Sequence, residues 1–149
     1  MLGVDTDVLV SWAMAGAPRH DRARRLLEAE VRERGGALAI VPQVLYEFLH
    51  VTTDPRRFEK PLPMRDGLSW VRTFWHAREV VRVLPAPDVL ARTLELLDRL
   101  RLGRKRILDT ALAVTLESAG VRRFATFNHQ DFRPFPFLEI VDPDGVKDR

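Results

Sequence analysis

The chain contains no cysteine. That excludes disulfides, thiolate zinc sites and a cysteine nucleophile. Lysine is almost as scarce: Lys60, Lys105 and Lys147 are the only lysines among 24 basic residues, and the other 21 are arginines. No apolar run approaches the ~18 residues of a membrane span. The first residues lack the basic segment and long apolar stretch of a signal peptide, and an acid arrives as early as Asp5. Nor is there a repeat, a flexible linker or a low-complexity tract to divide the chain. Together these absences predict a cytoplasmic protein with no membrane partner.

What is present suits one ordinary domain. A chain of 149 residues, 46% of them hydrophobic, can bury an adequate core without cross-links. The formal net charge of +3 and the pI near 9.9 favour an anionic partner only mildly. An arginine skew follows from codon composition as readily as from RNA binding.

Short apolar segments alternate with amphipathic ones, the signature of a parallel sheet covered by helices. Strands are expected at residues 1–4, 37–41, 80–84, 124–127 and 138–141, and helices at 8–14, 18–34, 42–51, 66–77, 88–100 and 106–119. Several boundaries have a physical cause. Pro18 and Pro42 stand where a first helical turn tolerates a missing N–H. Gly35-Gly36 and Gly103 stop the helices before them, and Thr53-Asp54-Pro55 opens a loop that reaches Pro63. Leu90, Leu94, Leu97 and Leu100 recur at helical spacing. The stretch 106–119 is apolar nearly all round, which predicts burial on more than one side. Leu68, Trp70, Phe74 and Trp75 read as core or subunit interface rather than as a base-stacking platform.

Four acids stand out against this background. Asp5 closes the first strand and Asp131 follows the fourth, while Glu47 and Asp109 interrupt apolar helices. In an open parallel sheet ligands bind beyond the carboxyl ends of the strands, where residues distant in sequence converge. Gathered carboxylates repel: a pair at ~4 Å and an effective dielectric of ~20 costs on the order of 4 kcal/mol. A hard divalent cation held by oxygens, Mg²⁺ or Mn²⁺, neutralises such a cluster. The chemistry it serves is phosphodiester hydrolysis.

Each acid also has a plainer reading. Asp5 or Thr6 can cap the helix that follows, worth ~1 kcal/mol, with Asp7 in support. Glu47 lies at the border of a Val44, Leu45, Phe48 and Leu49 face, where a solvated glutamate is ordinary. Asp109 has Ile107, Leu108, Ala111 and Leu112 around it; an unpaired buried carboxylate is costly, so it caps, binds a metal or pairs with Arg106 one turn back. Asn128 and Asp131 suit a turn, and His129 between them is a poor candidate for general acid or base. Asp5-Thr6-Asp7 after a strand also suits a haloacid-dehalogenase-type phosphatase, with Asp5 as covalent nucleophile and Asp7 as general acid. Against that, Lys105 has the wrong context and Asp109 lies within a helix.

Taken as a set, order and spacing are more specific. Val4-Asp5-Thr6-Asp7-Val8-Leu9, then Glu47 after the second strand, then Ile107-Leu108-Asp109-Thr110-Ala111-Leu112-Ala113 and Ala125-Thr126-Phe127-Asn128-His129-Gln130-Asp131-Phe132 resemble the PIN-domain family. The likeness is strongest to the VapC-type toxin ribonucleases of bacterial toxin–antitoxin modules, and Thr53-Asp54-Pro55-Arg56-Arg57-Phe58 with Pro61-Leu62 resembles a subgroup of them.

The resemblance covers nearly the whole chain and implies a single PIN-like domain over residues 1–149. Its fold would be a three-layer α/β/α sandwich with a central, mainly parallel sheet. It also implies an endoribonuclease dependent on Mg²⁺ or Mn²⁺, a homodimer, and a cognate antitoxin whose C-terminal segment covers the active site. By position, Asp5, Glu47 and Asp109 become the principal catalytic acids and metal ligands. Asp131 is preferred to Asn128 as the fourth, and would ligate through water. Thr6, Asp7, Thr126 and Asn128 support the site or the substrate, Asp7 replacing a usual small polar residue and adding charge. Departure of the 3′ oxygen would leave 3′-hydroxyl and 5′-phosphate ends. Arg101, Arg104, Lys105 and Arg106, with Arg99 beside them, would track the RNA backbone, although a helix C-terminus attracts cations too. A PIN-like fold kept only to bind RNA has no reason to tolerate four repelling acids.

Overall fold

The structure, a computed structural model, describes residues 1–145; positions 146–149 of the expected domain, Lys147 among them, lie outside the described residues. Five strands form one sheet: β1 (Leu2–Val4), β2 (Leu38–Ile40), β3 (Val80–Arg82), β4 (Arg123–Ala125) and β5 (Glu139–Val141). Their order is β3-β2-β1-β4-β5, and every neighbouring pair is parallel. Central β1 sets Gly3 against Ala39 on one side and Phe124 on the other.

From β1 the chain winds outward through α1 (Thr6–Ala13) and α2 (His20–Arg32) to β2, then through α3 (Pro42–Thr52) and α4 (Met64–His76) to β3. It next crosses back past β1. The return leg is α5 (Val89–Arg99), a 3₁₀ turn (Arg104–Arg106) and α6 (Ile107–Ser118), leading to β4; a one-turn helix α7 (His129–Phe132) then leads to β5. Right-handed crossovers place the helices of the two legs on opposite faces of the sheet. The packing agrees: α1 touches α2 and α3, α3 touches α4, α5 lies on α6, and α6 meets α7. This is the expected α/β/α sandwich. Because the winding direction reverses at β1 and β4, the crevice beyond their carboxyl ends is the topological switch point.

The core joins Leu2, Val4, Ile40 and Phe124 of the sheet to Val8, Leu9, Phe48 and Leu116 of the helices. Gly3 is small because α6 sits close: a Cβ there would lie 3.1 Å from Phe124 and 3.2 Å from Leu116. Trp12, Trp70 and Phe74 stack within 5.6 Å of one another, which makes these aromatics core. Trp75 packs against that core and carries Arg82 5.6 Å above its ring, while Leu68 remains partly exposed. Among the described residues, no helix is long and apolar enough to cross a membrane.

Three expectations about local structure change. The leucine repeat of α5 faces outward: Leu90 and Leu94 are exposed, whereas Val89, Thr93 and Leu96 are buried. Periodicity defines a stripe, but the seat of α6 decides which stripe is covered. In α6 residues 112–116 are buried as expected, yet Ile107 and Leu108 in the first turn are exposed. Finally, the segment around Asp131, for which a turn is the plainer reading, is helical over His129–Phe132.

One ion pair ties the layers together. Glu30 of α2 is 3% exposed and takes two bonds from Nη1 of Arg123 on β4, at 2.7 and 3.0 Å. A buried carboxylate stripped of its partner is strongly destabilising. Arg123→Ala is therefore expected to cost about 3 kcal/mol, the low end because Arg34 stands 4.0 Å away as a partial substitute. Urea unfolding should show a lower midpoint at unchanged slope; an unshifted midpoint would mean that Glu30 does not depend on Arg123.

Candidate active site

The switch point is built from both strands that border it. Asp5 follows β1 directly and is the N-cap residue of α1. Its Oδ1 accepts from the Thr6 N–H at 2.7 Å, and its Oδ2 accepts from the Thr126 hydroxyl, just past β4, at 2.6 Å. Capping and convergence are thus the same geometry, not alternatives. The Asn128 N–H donates to the Thr126 oxygen at 2.9 Å, so the hydroxyl proton is directed at Asp5. Thr6 in turn donates to Glu47 Oε2 at 2.8 Å and draws α3 to the start of α1. Asp7 Oδ2 accepts from the Phe127 N–H at 3.0 Å, while its Oδ1 is buried with no hydrogen-bond partner among the described residues.

The other wall is the start of α6. Gln43 at the head of α3 donates to the Leu108 carbonyl at 3.0 Å and links the starts of the two helices across the crevice. Asp109 is half-buried in that first turn. Arg106, last residue of the 3₁₀ turn, places Nη1 2.5 Å from Asp131 Oδ1 and 3.5 Å from Asp109 Oδ2. The ion-pair reading of Asp109 therefore holds, and it holds inside the acid cluster.

Electrostatics join the two walls. Burial, and then the charge of Asp7, push the Asp5 carboxyl up to about 8 against the pull of its bonds from Thr126 and Thr6. Burial raises Asp7 to about 6, opposed by the Phe127 N–H and by Arg19. Asp109 is raised by burial and by Asp131, with Arg106 acting the other way. Glu47 adds an upward push to all three. Asp5, Asp7, Glu47, Asp109 and Asp131 thus form one electrostatic system despite their separation in sequence.

Some expected members behave differently. Asn128 is exposed and contributes its backbone N–H, whereas Asp131 reaches the Arg106 bridge. Arg106 leaves the surface track assigned to it, because two carboxylates draw it inward. Arg101, Arg104 and Lys105 stay exposed, and Arg99 pairs with Glu95 at 3.6 Å. His129 is engaged with Asp142 at 3.0 Å. One residue had no signal in the sequence: Arg19, from the turn before α2, lies 4.6 Å over the Phe127 ring and within electrostatic reach of Asp7. The phosphatase reading fails here. Among the described residues Asp5 and Asp7 take their bonds from Thr126, Thr6 and Phe127, and the nearby cation is Arg19 in place of the lysine that reading needs.

The donor set suits a hard divalent cation, since every ligand on offer is an oxygen. The Asp7 oxygen with no partner among the described residues is an acceptor open to a cation, whereas Asp5 is raised first of all by burial. As the side chains stand, no three acidic or histidine groups among the described residues close on a common point. The threonine hydroxyls and Arg106 hold them, so binding an ion means exchanging some of those contacts.

The PIN domain family model matches residues 3–138. The chain belongs to the PIN-domain family. Within that family it is of the VapC type: Ribonuclease VapC24 of Mycobacterium tuberculosis is 32% identical over 148 residues, 96% of this chain and 97% of that one. Among solved structures, VapC20 of Mycobacterium tuberculosis, a sarcin–ricin loop cleaving toxin, aligns with a TM-score of 0.60 over 83% of this chain and 87% of its own, at 17% identity. A chain of a toxin–antitoxin complex from Klebsiella pneumoniae gives 0.62 over 96% and 98%, also at 17% identity. At such identities the two structures attest the shared fold alone.

The raised carboxyls of this PIN domain carry a pH signature. Asp5 holds its proton more tightly when folded than when unfolded, so folding is favoured most below its ordinary value of 3.8. That stability is lost as pH rises through about 8. In chelator the melting temperature should fall between pH 5 and 8, and Asp5→Asn should flatten the fall and melt higher at pH 8. An equal slope in the variant would remove Asp5 as its source.

Proposed function

We propose that this chain is a metal-dependent endoribonuclease, the toxin of a toxin–antitoxin pair, acting in the cytoplasm. The observation that carries the reading is the coupled set of acids at the switch point, in a chain whose relative VapC24 is a ribonuclease. Asp5, Asp109 and Glu47 are the residues that would hold Mg²⁺ or Mn²⁺. When bound, the ion supplies Lewis-acid charge and a water acidic enough to attack at neutral pH.

The protein's part is to aim these groups before RNA arrives. Thr126 fixes the Asp5 carboxylate through Oδ2, and Thr6 fixes Glu47 through Oε2. These bonds aim the two side chains in the free protein, and some of them would give way when an ion binds. Arg101, Arg104 and Lys105 are exposed on the approach to α6, beside Asp109, where a sugar–phosphate backbone would lie. Contacts of that kind position a strand without reading its bases.

Partners follow from the same reading. The Klebsiella pneumoniae complex supports a cognate antitoxin. Exposed Leu90 and Leu94 on α5, Leu100 at its C-cap, and Ile107 and Leu108 at the start of α6 support a homodimer, since exposed apolar surface marks interaction sites.

Pure protein should cut RNA with Mg²⁺, stop in EDTA and resume when Mg²⁺ or Mn²⁺ is restored. Asp5→Asn should lose at least about a hundredfold in rate, the upper end of what losing a residue that merely supports a metal ligand costs. Cleavage that persists in EDTA would sink the metal reading. Tight RNA binding without cleavage at saturating Mg²⁺ would instead favour a PIN-like module that only binds RNA.

A further inference from the structure

We propose that Arg106 stands in for a second cation, so that this site takes one divalent ion, on the Asp5 side, and completes its charge with a guanidinium on the Asp131 side. The proposal rests on the metal-dependent reading above and specifies how many ions that reading requires.

The acids divide into two groups by what neutralises them. Asp5, Asp7 and Glu47 have neutral donors: Thr126, Thr6 and the backbone N–H groups of Thr6 and Phe127. Arg19 acts on Asp7 only from a half-exposed position, with Asp144 3.8 Å from its Nε. This group is short of positive charge, and Asp7 Oδ1 is a buried acceptor with nothing opposite it among the described residues. Asp109 and Asp131 already share a cation, Asp109 through Oδ2 alone, which leaves its Oδ1 to the ion on the Asp5 side. Arg106 bridges them from one nitrogen, and all three side chains are partly buried, at 27%, 32% and 37% exposure.

The chain builds Arg106 into this position. It closes the 3₁₀ turn one helical turn before Asp109, and the Thr110 hydroxyl donates to its carbonyl at 2.7 Å. A divalent ion placed between Asp109 and Asp131 would have to evict it or sit beside a like charge. In two-ion phosphodiester chemistry the second ion stabilises the leaving oxygen. A guanidinium fills that electrostatic role through its planar fork of N–H donors, which matches phosphoryl oxygens. Asp131 then becomes a positioning residue that holds Arg106, rather than a metal ligand. Arg106 is set apart in the same way from exposed Arg101 and Arg104.

Mn²⁺ titration of the full chain without RNA, followed by electron paramagnetic resonance of the free ion, tests this directly. Wild type should bind one Mn²⁺ per chain, and Arg106→Gln should bind a second. Arg106→Ala carries the same expectation if the glutamine variant does not fold. Asp131→Asn is an independent arm: the affinity of the first ion should stay within about twofold, whereas loss of a true ligand or its support weakens binding roughly tenfold or more. Two ions in wild type, one ion at unchanged affinity in the Arg106 variants, or a tenfold loss in Asp131→Asn would each overturn the proposal while leaving a metal site in place. Absence of Mn²⁺ binding in wild type and variants alike would overturn the metal-dependent reading itself, and this proposal with it.

Discussion

Repulsion among carboxylates at the mouth of β1 and β4 is the constraint on which the rest of the site depends. Asp5 cannot move away from it. It follows a strand whose Leu2 and Val4 are buried, it caps α1, and Thr126 holds its second oxygen. The close seat of α6 on Gly3 leaves the sheet beneath with no slack. Asp109 is equally fixed, because Leu112, Ala113 and Leu116 further along α6 lie in the core. Two rigid elements thus face acids toward one crevice, and Glu47 is tied between them by Thr6 on one side and by the Gln43 contact of its helix on the other. The fold keeps the charges together at a standing cost in stability, which a bound cation would relieve.

Charge compensation is uneven across the crevice. The β1 side relies on hydroxyl and amide donors, and burial first of all pushes its acids to about 8 and about 6. On the α6 side a guanidinium stands between two carboxylates. The two halves therefore suit different guests. The electron-rich half suits a divalent ion, and the half with Arg106 suits a phosphate. Both depend on small polar residues, since Thr6, Thr126 and Thr110 each orient a charged neighbour or its backbone.

Much of this was legible in the sequence. Alternating apolar and amphipathic segments reveal the parallel sheet and its covering helices, and proline and glycine mark several boundaries to within a few residues. The spacing of the acids points to the PIN family. What the residues alone left open was mutually exclusive only on paper: Asp5 is both cap and site member, and Asp109 is both paired and clustered. Other features depend on a neighbour distant in the chain. Leu90 and Leu94 have the right period, but α6 covers the opposite stripe. Arg106 belongs to a basic run, yet Asp131, 2.5 Å away in space, turns it inward. Arg19 is one arginine among 21 until Phe127 is placed beneath it. The segment around Asp131 has the composition of a turn and closes into a helix only because Phe132 finds the core beside Phe124.

Diffraction from crystals soaked in Mn²⁺, with anomalous differences recorded, tests the central claim most directly. The expected result is a peak in the crevice with a carboxylate oxygen of Asp5 about 2.1 Å away, in the range of hard octahedral cations, and with Asp109 or Glu47 turned toward it. Absence of any peak there at saturating Mn²⁺, with Asp5 still bonded to Thr126 and Thr6 as in the metal-free protein, would contradict it.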